Sequence, residues 1–93
     1  MELEQLRIFT AVAKSGSFSL GAKQLYISHS TTSRAVAALE EELGVRLLER
    51  DNHVLGLTKA GEVLLEEAQR IDDVVCTAVE RVRAARDQDL YKG

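Results

Sequence analysis

SHSTTSRAVAALEEELG, Ser28 to Gly44, joins two halves of opposite character. Its first seven residues, Ser28 to Arg34, include no apolar side chain, and four hydroxyls stand between His29 and Arg34. The second half carries Val36, Leu39 and Leu43, flanked by Ala35 and Ala38, at the spacing of a buried helical stripe. Ser28 suits an N-cap and Gly44 a helix end, so a helix is predicted over about His29–Leu43. Hydroxyls, an imidazole and a guanidinium occupy its head, and Glu40, Glu41 and Glu42 its tail. Hydroxyls gather at helix starts as caps, which accounts for one or two of them. An unbroken polar run ahead of a well-formed stripe needs a second reason.

Upstream, Leu3, Leu6, Phe9, Thr10 and Ala13 line one side of a helix over residues 3–13. Glu2 and Glu4 sit at its start, where carboxylates suit the positive end of the helix dipole. "KSGSFS" then breaks the pattern, with Gly16 as a left-handed C-cap and Ser17 as the next N-cap. The second helix, about Phe18 to Leu25, is short. Its Gly21 and Ala22 leave a face almost without side chains, which lets another helix approach closely. "YIS" is the turn into the third helix, with Ile27 buried.

Downstream, Val45–Leu48 and Val54–Leu57 flank the turn-forming "DNH" and read as a small hairpin. Thr58 caps a long fourth helix reaching about Gln88. Along it Leu64, Ala68, Ile71, Val75, Ala78, Val82 and Ala85 alternate by four and three, a heptad seam. That seam either packs back along the first helix or meets a second copy of the chain. It continues well past the length the first helix covers, which favours self-association, parallel or antiparallel.

The bulk properties bound the rest. Ninety-three residues make one small domain. With no proline and four aromatic residues, the chain favours helices over a sandwich or barrel. No apolar run has membrane-spanning length and no secretory leader is visible, so the expectation is a cytoplasmic protein. A single cysteine, Cys76, excludes an internal disulfide and any multi-cysteine metal site, and no metal is expected. Net charge is −3, yet Arg7, Lys14, Lys23 and Arg34 all lie between Glu4 and Glu40, a span without acids. The local field is what a phosphate backbone meets, so the global charge does not exclude DNA.

Two helices joined by a tight turn, the second with a polar head, then a hairpin, describe a winged helix-turn-helix. There the third helix enters the major groove by its N-terminus, whose free N–H groups and dipole favour phosphate. Short hydroxyls bond phosphates or base edges without filling the groove. Arg34 is the one long donor, able to grip guanine O6 and N7 or to clamp phosphate. His29 can donate or accept at a base edge. The acids at Glu40–Glu42 fall where the helix leaves the groove.

The residues also resemble a family. "LEQLRIFTAVAKSGSFSLGAKQL" (Leu3–Leu25), "SRAVAALEEELGVRLLER" (Ser33–Arg50) and "LTKAG" (Leu57–Gly61) are similar to the N-terminal DNA-binding domain of LysR-type transcriptional regulators. The resemblance covers essentially the whole chain. It implies a mostly α fold: a winged helix-turn-helix over residues 1–57, then a linker helix over 58–93 through which two copies dimerise. The helix-turn-helix falls at about 18–37 and the wing at about 45–57. It further implies an effector-binding domain, taking a small-molecule effector, that this chain lacks; a fragment is expected, with no cofactor in the part present. Members often carry glutamine, proline and alanine where this chain has His29, Ser30 and Thr31, so target preference is not transferable. Gly21 stands for a usual alanine and Leu48 for a usual phenylalanine, both read as conservative for the fold. The wing tip "DNHVLG" offers only His53 as a cation.

Candidate DNA contacts follow, each with a plainer alternative. Ser30, Thr31 and Arg34 lead, beside the capping Ser28; Arg34 is alternatively a weak surface pair with Glu41 or a neighbour. Ser33 matches a backbone-contacting position of the family, or bonds its own helix. His29 meets a base edge or solvent. Ser17, Ser19 and Lys23 touch phosphate, or are caps and a solvated charge. Arg50 matches a family arginine and contacts phosphate, or braces Glu49 or Asp51. His53 contacts DNA from the wing tip. An enzyme is disfavoured: two histidines lack partners at ligand spacing, and neither a phosphate loop nor a nucleophile elbow appears. A helical interaction module explains the seam but not the polar head. A similar winged domain also serves other sensors, including molybdate-responsive regulators.

Overall fold

The computed structural model describes the backbone of residues 1–51 and 54–92 and the side chains of 1–50 and 56–88. Helix α1 spans Leu3–Ser15 and starts where the Gln5 side chain accepts the Glu2 N–H at 3.0 Å. It ends at Gly16. Leu6, Ile8, Phe9 and Val12 are its buried residues, a different set from the stripe expected. Ile8, Phe9 and Val12 enter the main core, whereas Leu3, Leu6 and Thr10 line a groove against the long last helix. The helix is covered on two sides, and the sequence stripe had merged the two. Leu3 is consequently 49% exposed.

Helix α2, Phe18–Leu25, begins at Ser17, whose Oγ accepts the Leu20 N–H at 3.2 Å. A Cβ on Gly21 would sit 2.9 Å from Val12 Cγ2 and 3.0 Å from the Val12 nitrogen. Glycine is therefore part of how closely α2 rides on α1. Replacing it by the alanine usual in the resembled family is no conservative change in this packing. Tyr26 closes α2 in the left-handed region at φ 57°.

Helix α3 covers His29–Leu43, and Gly44, at φ 67°, ends it. Its buried residues are Thr32, Val36 and Leu39. The stripe thus begins one turn earlier than the apolar residues suggest, and Leu43 is 41% exposed instead of buried.

The hairpin pairs β1, Leu48–Asp51, antiparallel with β2, Val54–Leu57, in the register Leu48↔Leu57 to Asp51↔Val54. The first strand lies three residues later than the expected Val45–Leu48. Leu47 and Leu48 are drawn into the core as an anchor, each 1% exposed.

Helix α4 runs Lys59–Lys92. Thr58 caps it: Oγ1 accepts the Gly61 N–H at 3.0 Å and donates to the Arg46 carbonyl. The Thr58 N–H reaches the Leu47 carbonyl at 3.0 Å. Gly61 is buried against that carbonyl, which an added Cβ would overlap. One core of Ile8, Phe9, Val12, Val36, Leu39, Leu47 and Leu48 unites α1, α3 and β1, with Phe18, Leu57 and Leu64 against it. Each fully buried side chain of this size contributes roughly 1.5–3 kcal/mol. Beyond this body α4 projects, giving extents of 62 × 25 × 19 Å. Among the described residues, no helix is long and apolar enough to cross a membrane.

Candidate nucleic-acid interface

The head of α3 is built from its cap outward. Ser28 Oγ accepts the Thr31 N–H at 3.1 Å, donates to Thr31 Oγ1 at 2.8 Å and lies 3.3 Å from Ser30 Oγ. Three hydroxyls therefore form one exposed cluster on the first turn, where backbone N–H groups lack helical acceptors. Thr32 departs from the run. Its side chain is 0% exposed and its hydroxyl donates to the Ser28 carbonyl at 2.9 Å, so it belongs to the core. Ser33 is half-buried and makes no side-chain hydrogen bond among the described residues.

Arg34 is exposed, one turn beyond Ser30, and its Nε donates to the Ser30 carbonyl at 3.3 Å. No carboxylate among the described residues pairs with it, so the alternative of a Glu41 pair is not what the structure holds. The back-bond keeps the guanidinium near the cluster, with its terminal nitrogens left as donors.

His29, the first helical residue of α3, packs its ring on Phe18, centroids 5.9 Å apart and planes tilted by 48°. That contact sets the first turns of α2 and α3 side by side. Ser17 and Ser19, on either side of Phe18, stand near this head; Ser17 is a cap and Ser19 is exposed. Lys23 is exposed in the last turn of α2, where its charge suits the negative helix end.

Arg50 does something the sequence did not suggest. Its Cζ lies 5.1 Å from the Phe18 ring centroid, and Nη2 is 3.9 Å from Glu40 Oε1. Among the described residues it does not pair with Glu49, and the Asp51 side chain lies outside them. Glu40, read as an acid where the helix leaves the groove, turns inward: its side chain is 12% exposed and Oε2 accepts the Leu47 N–H at 2.8 Å. Phe18 and Glu40 are the residues that sequence reasoning missed here. Their partners lie far away in the chain, so no local spacing announces them. His53 and the wing tip lie outside the described residues.

The heptad seam divides. Ala68 is buried, Leu64 packs on the core, and Ile71 and Val75 are half-buried beside α1. From Ala78 through Val82 to Ala85 the seam is exposed, and Val82 is 69% exposed. The first half of the seam therefore serves its own domain, and among the described residues nothing covers its second half.

The description "bacterial regulatory helix-turn-helix protein, lysR family" matches residues 3–62. The chain is 42% identical to the HTH-type transcriptional regulator TcbR of Pseudomonas sp. (strain P51) over 90 residues, 97% of this chain and 31% of that one. A crystal structure of a CbnR DBD–DNA complex superposes with a TM-score of 0.87 at 44% identity, over 91% of this chain and 98% of that one. A BenM DBD complex with catB site 1 DNA gives 0.87 at 36% identity, over 90% and 93%. The chain spans 28–31% of the length of the first four curated relatives it matches.

Proposed function

We infer the function from one premise, that the chain belongs to the lysR family of bacterial regulatory helix-turn-helix proteins: it binds double-stranded DNA and regulates transcription. The carrying observation is the head of α3, where Ser28, Ser30, Thr31, His29 and Arg34 are exposed together on the turn with free backbone donors. That turn enters the major groove. Arg34 reads a base edge, and the hydroxyls meet bases or adjacent phosphates. Ser17, Ser19, Lys23 and Ser33 hold the backbone, consistent with their exposure or half-exposure beside the head.

The uncovered half of the α4 seam supports a homodimer, which would place two α3 helices in successive major grooves of an inverted repeat. Relatives that are transcriptional regulators support a regulatory, non-enzymatic and cytoplasmic protein. The effector is the part of this reading that belongs to the rest of such regulators.

Selection from random duplexes at two salt concentrations, with Arg34→Ala in parallel, tests it. Enrichment of an inverted repeat that Arg34→Ala loses is the expected result. Binding without sequence preference in both proteins would demote Arg34 to a backbone contact. No binding in low salt would leave the interaction-module reading, which rests on the seam.

A further inference from the structure

Along one side of α3 runs a stack of four side chains from four places in the sequence. Glu40 stands in the last turn of α3, Arg50 in β1, Phe18 opens α2, and His29 opens α3. Glu40 is fixed first, by the Leu47 N–H at 2.8 Å. It holds the Arg50 guanidinium, 3.9 Å away, which lies over the Phe18 face at 5.1 Å. Phe18 in turn packs on the His29 ring at 5.9 Å. The last member is exposed, and it stands at the head of the helix that the proposed function places in the groove.

We propose that Phe18 and Arg50 are positioning residues that fix the His29 imidazole, making His29 a reader of one base pair. The inference rests on the DNA-binding reading and deepens it. An imidazole at the first position of a helix has free rotation about two bonds, and a freely rotating ring discriminates poorly between base edges. A ring seated on Phe18 presents its nitrogens in one direction. Arg50 contributes by lying over the Phe18 ring, a cation on an aromatic quadrupole with the Glu40 carboxylate beside it. The same geometry engages the guanidinium with Phe18 and Glu40. Arg50 therefore acts through Phe18 and not by gripping phosphate.

The test is duplex selection with sequencing on the native chain, His29→Ala, Phe18→Leu, Arg50→Met and each of the last two combined with His29→Ala, with salt slopes alongside. Leucine retains the partial burial of position 18, and Arg50 is exposed enough for methionine to leave the fold intact, so Arg50→Met decides if Phe18→Leu unfolds. Both should weaken discrimination at the same base position that His29→Ala erases, by about threefold or more, the scale of coupling between touching side chains. Neither should add to His29→Ala, and salt slopes should stay as in the native chain. Three results would overturn the proposal: His29→Ala altering no base position, Arg50→Met leaving that position unchanged, or Arg50→Met weakening all sequences alike with a salt slope lower by about one. A native chain that enriches no site overturns the DNA-binding reading itself, and this inference with it.

Discussion

The Ser28 carbonyl accepts two bonds from Thr32, from the backbone N–H at 3.1 Å and from the side-chain hydroxyl at 2.9 Å. Thr32 is fully buried, while Ser30 and Thr31 immediately before it are exposed. Within one helical turn a core hydroxyl thus stands beside surface hydroxyls of the same chemistry. Thr32→Val keeps the shape and leaves the Ser28 carbonyl satisfied by the backbone. Its unfolding free energy should change by no more than about 1 kcal/mol, and DNA affinity should stay as it is. Thr31→Val removes a hydroxyl of the exposed cluster, and should lower affinity. Urea unfolding and a duplex titration on both variants separate the two faces.

Arg34 is held by its Nε to the Ser30 carbonyl, which leaves the terminal nitrogens for a paired contact. Arg34→Lys keeps the charge and loses the fork. Discrimination at one base position should fall by about 1–3 kcal/mol while the salt slope holds. An unchanged preference with unchanged affinity would place a single charge, not a fork, at this position.

Gly61 sits against the Leu47 carbonyl, which also accepts the Thr58 N–H at 3.0 Å. The start of α4 and the entry to β1 are locked together there, and neither carbonyl nor cap is free to move. Gly61→Ala should destabilise the domain by about 1–3 kcal/mol despite alanine's better helix propensity. The urea midpoint reads it directly, and a midpoint at or above the native one would show that the junction is softer than its contacts imply.

Glu40 gives a graded pair. Glutamine at this position keeps an oxygen for the Leu47 N–H and loses only the charge facing Arg50, which is 46% exposed. Glu40→Gln should cost less than about 1 kcal/mol. Glu40→Ala leaves the Leu47 N–H without its acceptor and should cost about 1–3 kcal/mol. Equal losses in the two variants would move the weight from the hydrogen bond to the ion pair.

The sequence carried the helices because their signals are local. Ser17, Ser28 and Thr58 cap where hydroxyls precede apolar periodicity, and Gly16 and Gly44 close α1 and α3. The polar head of α3 was legible for the same reason, apart from Thr32, whose hydroxyl disguised a core position. What escaped depends on chain segments far apart. The first strand slid three residues because Leu47 and Leu48 anchor to a core that its own neighbours do not predict. Arg50 found Glu40 and Phe18, both distant from it in sequence.

The remaining prediction concerns α4, where one periodic seam has two fates. Leu64 and Ala68 are covered by their own domain, so a charge placed there acts on folding. Val82 is 69% exposed, so a charge there has little folded contact to break. If the uncovered half is the dimer seam, burying Val82 against a partner supplies part of roughly 1.5–3 kcal/mol per valine, and Val82→Asp removes it and buries a carboxylate instead. The dimer dissociation constant should then rise by about tenfold or more, since 1.4 kcal/mol is a factor of ten. Thermal unfolding at concentrations where the chain is monomeric should match the native chain, whereas Ala68→Asp should lower it sharply. Sedimentation across a concentration series distinguishes the cases: native-like association of Val82→Asp would mean that the two copies meet elsewhere, and that α4 beyond Ala78 is a spacer with an apolar face.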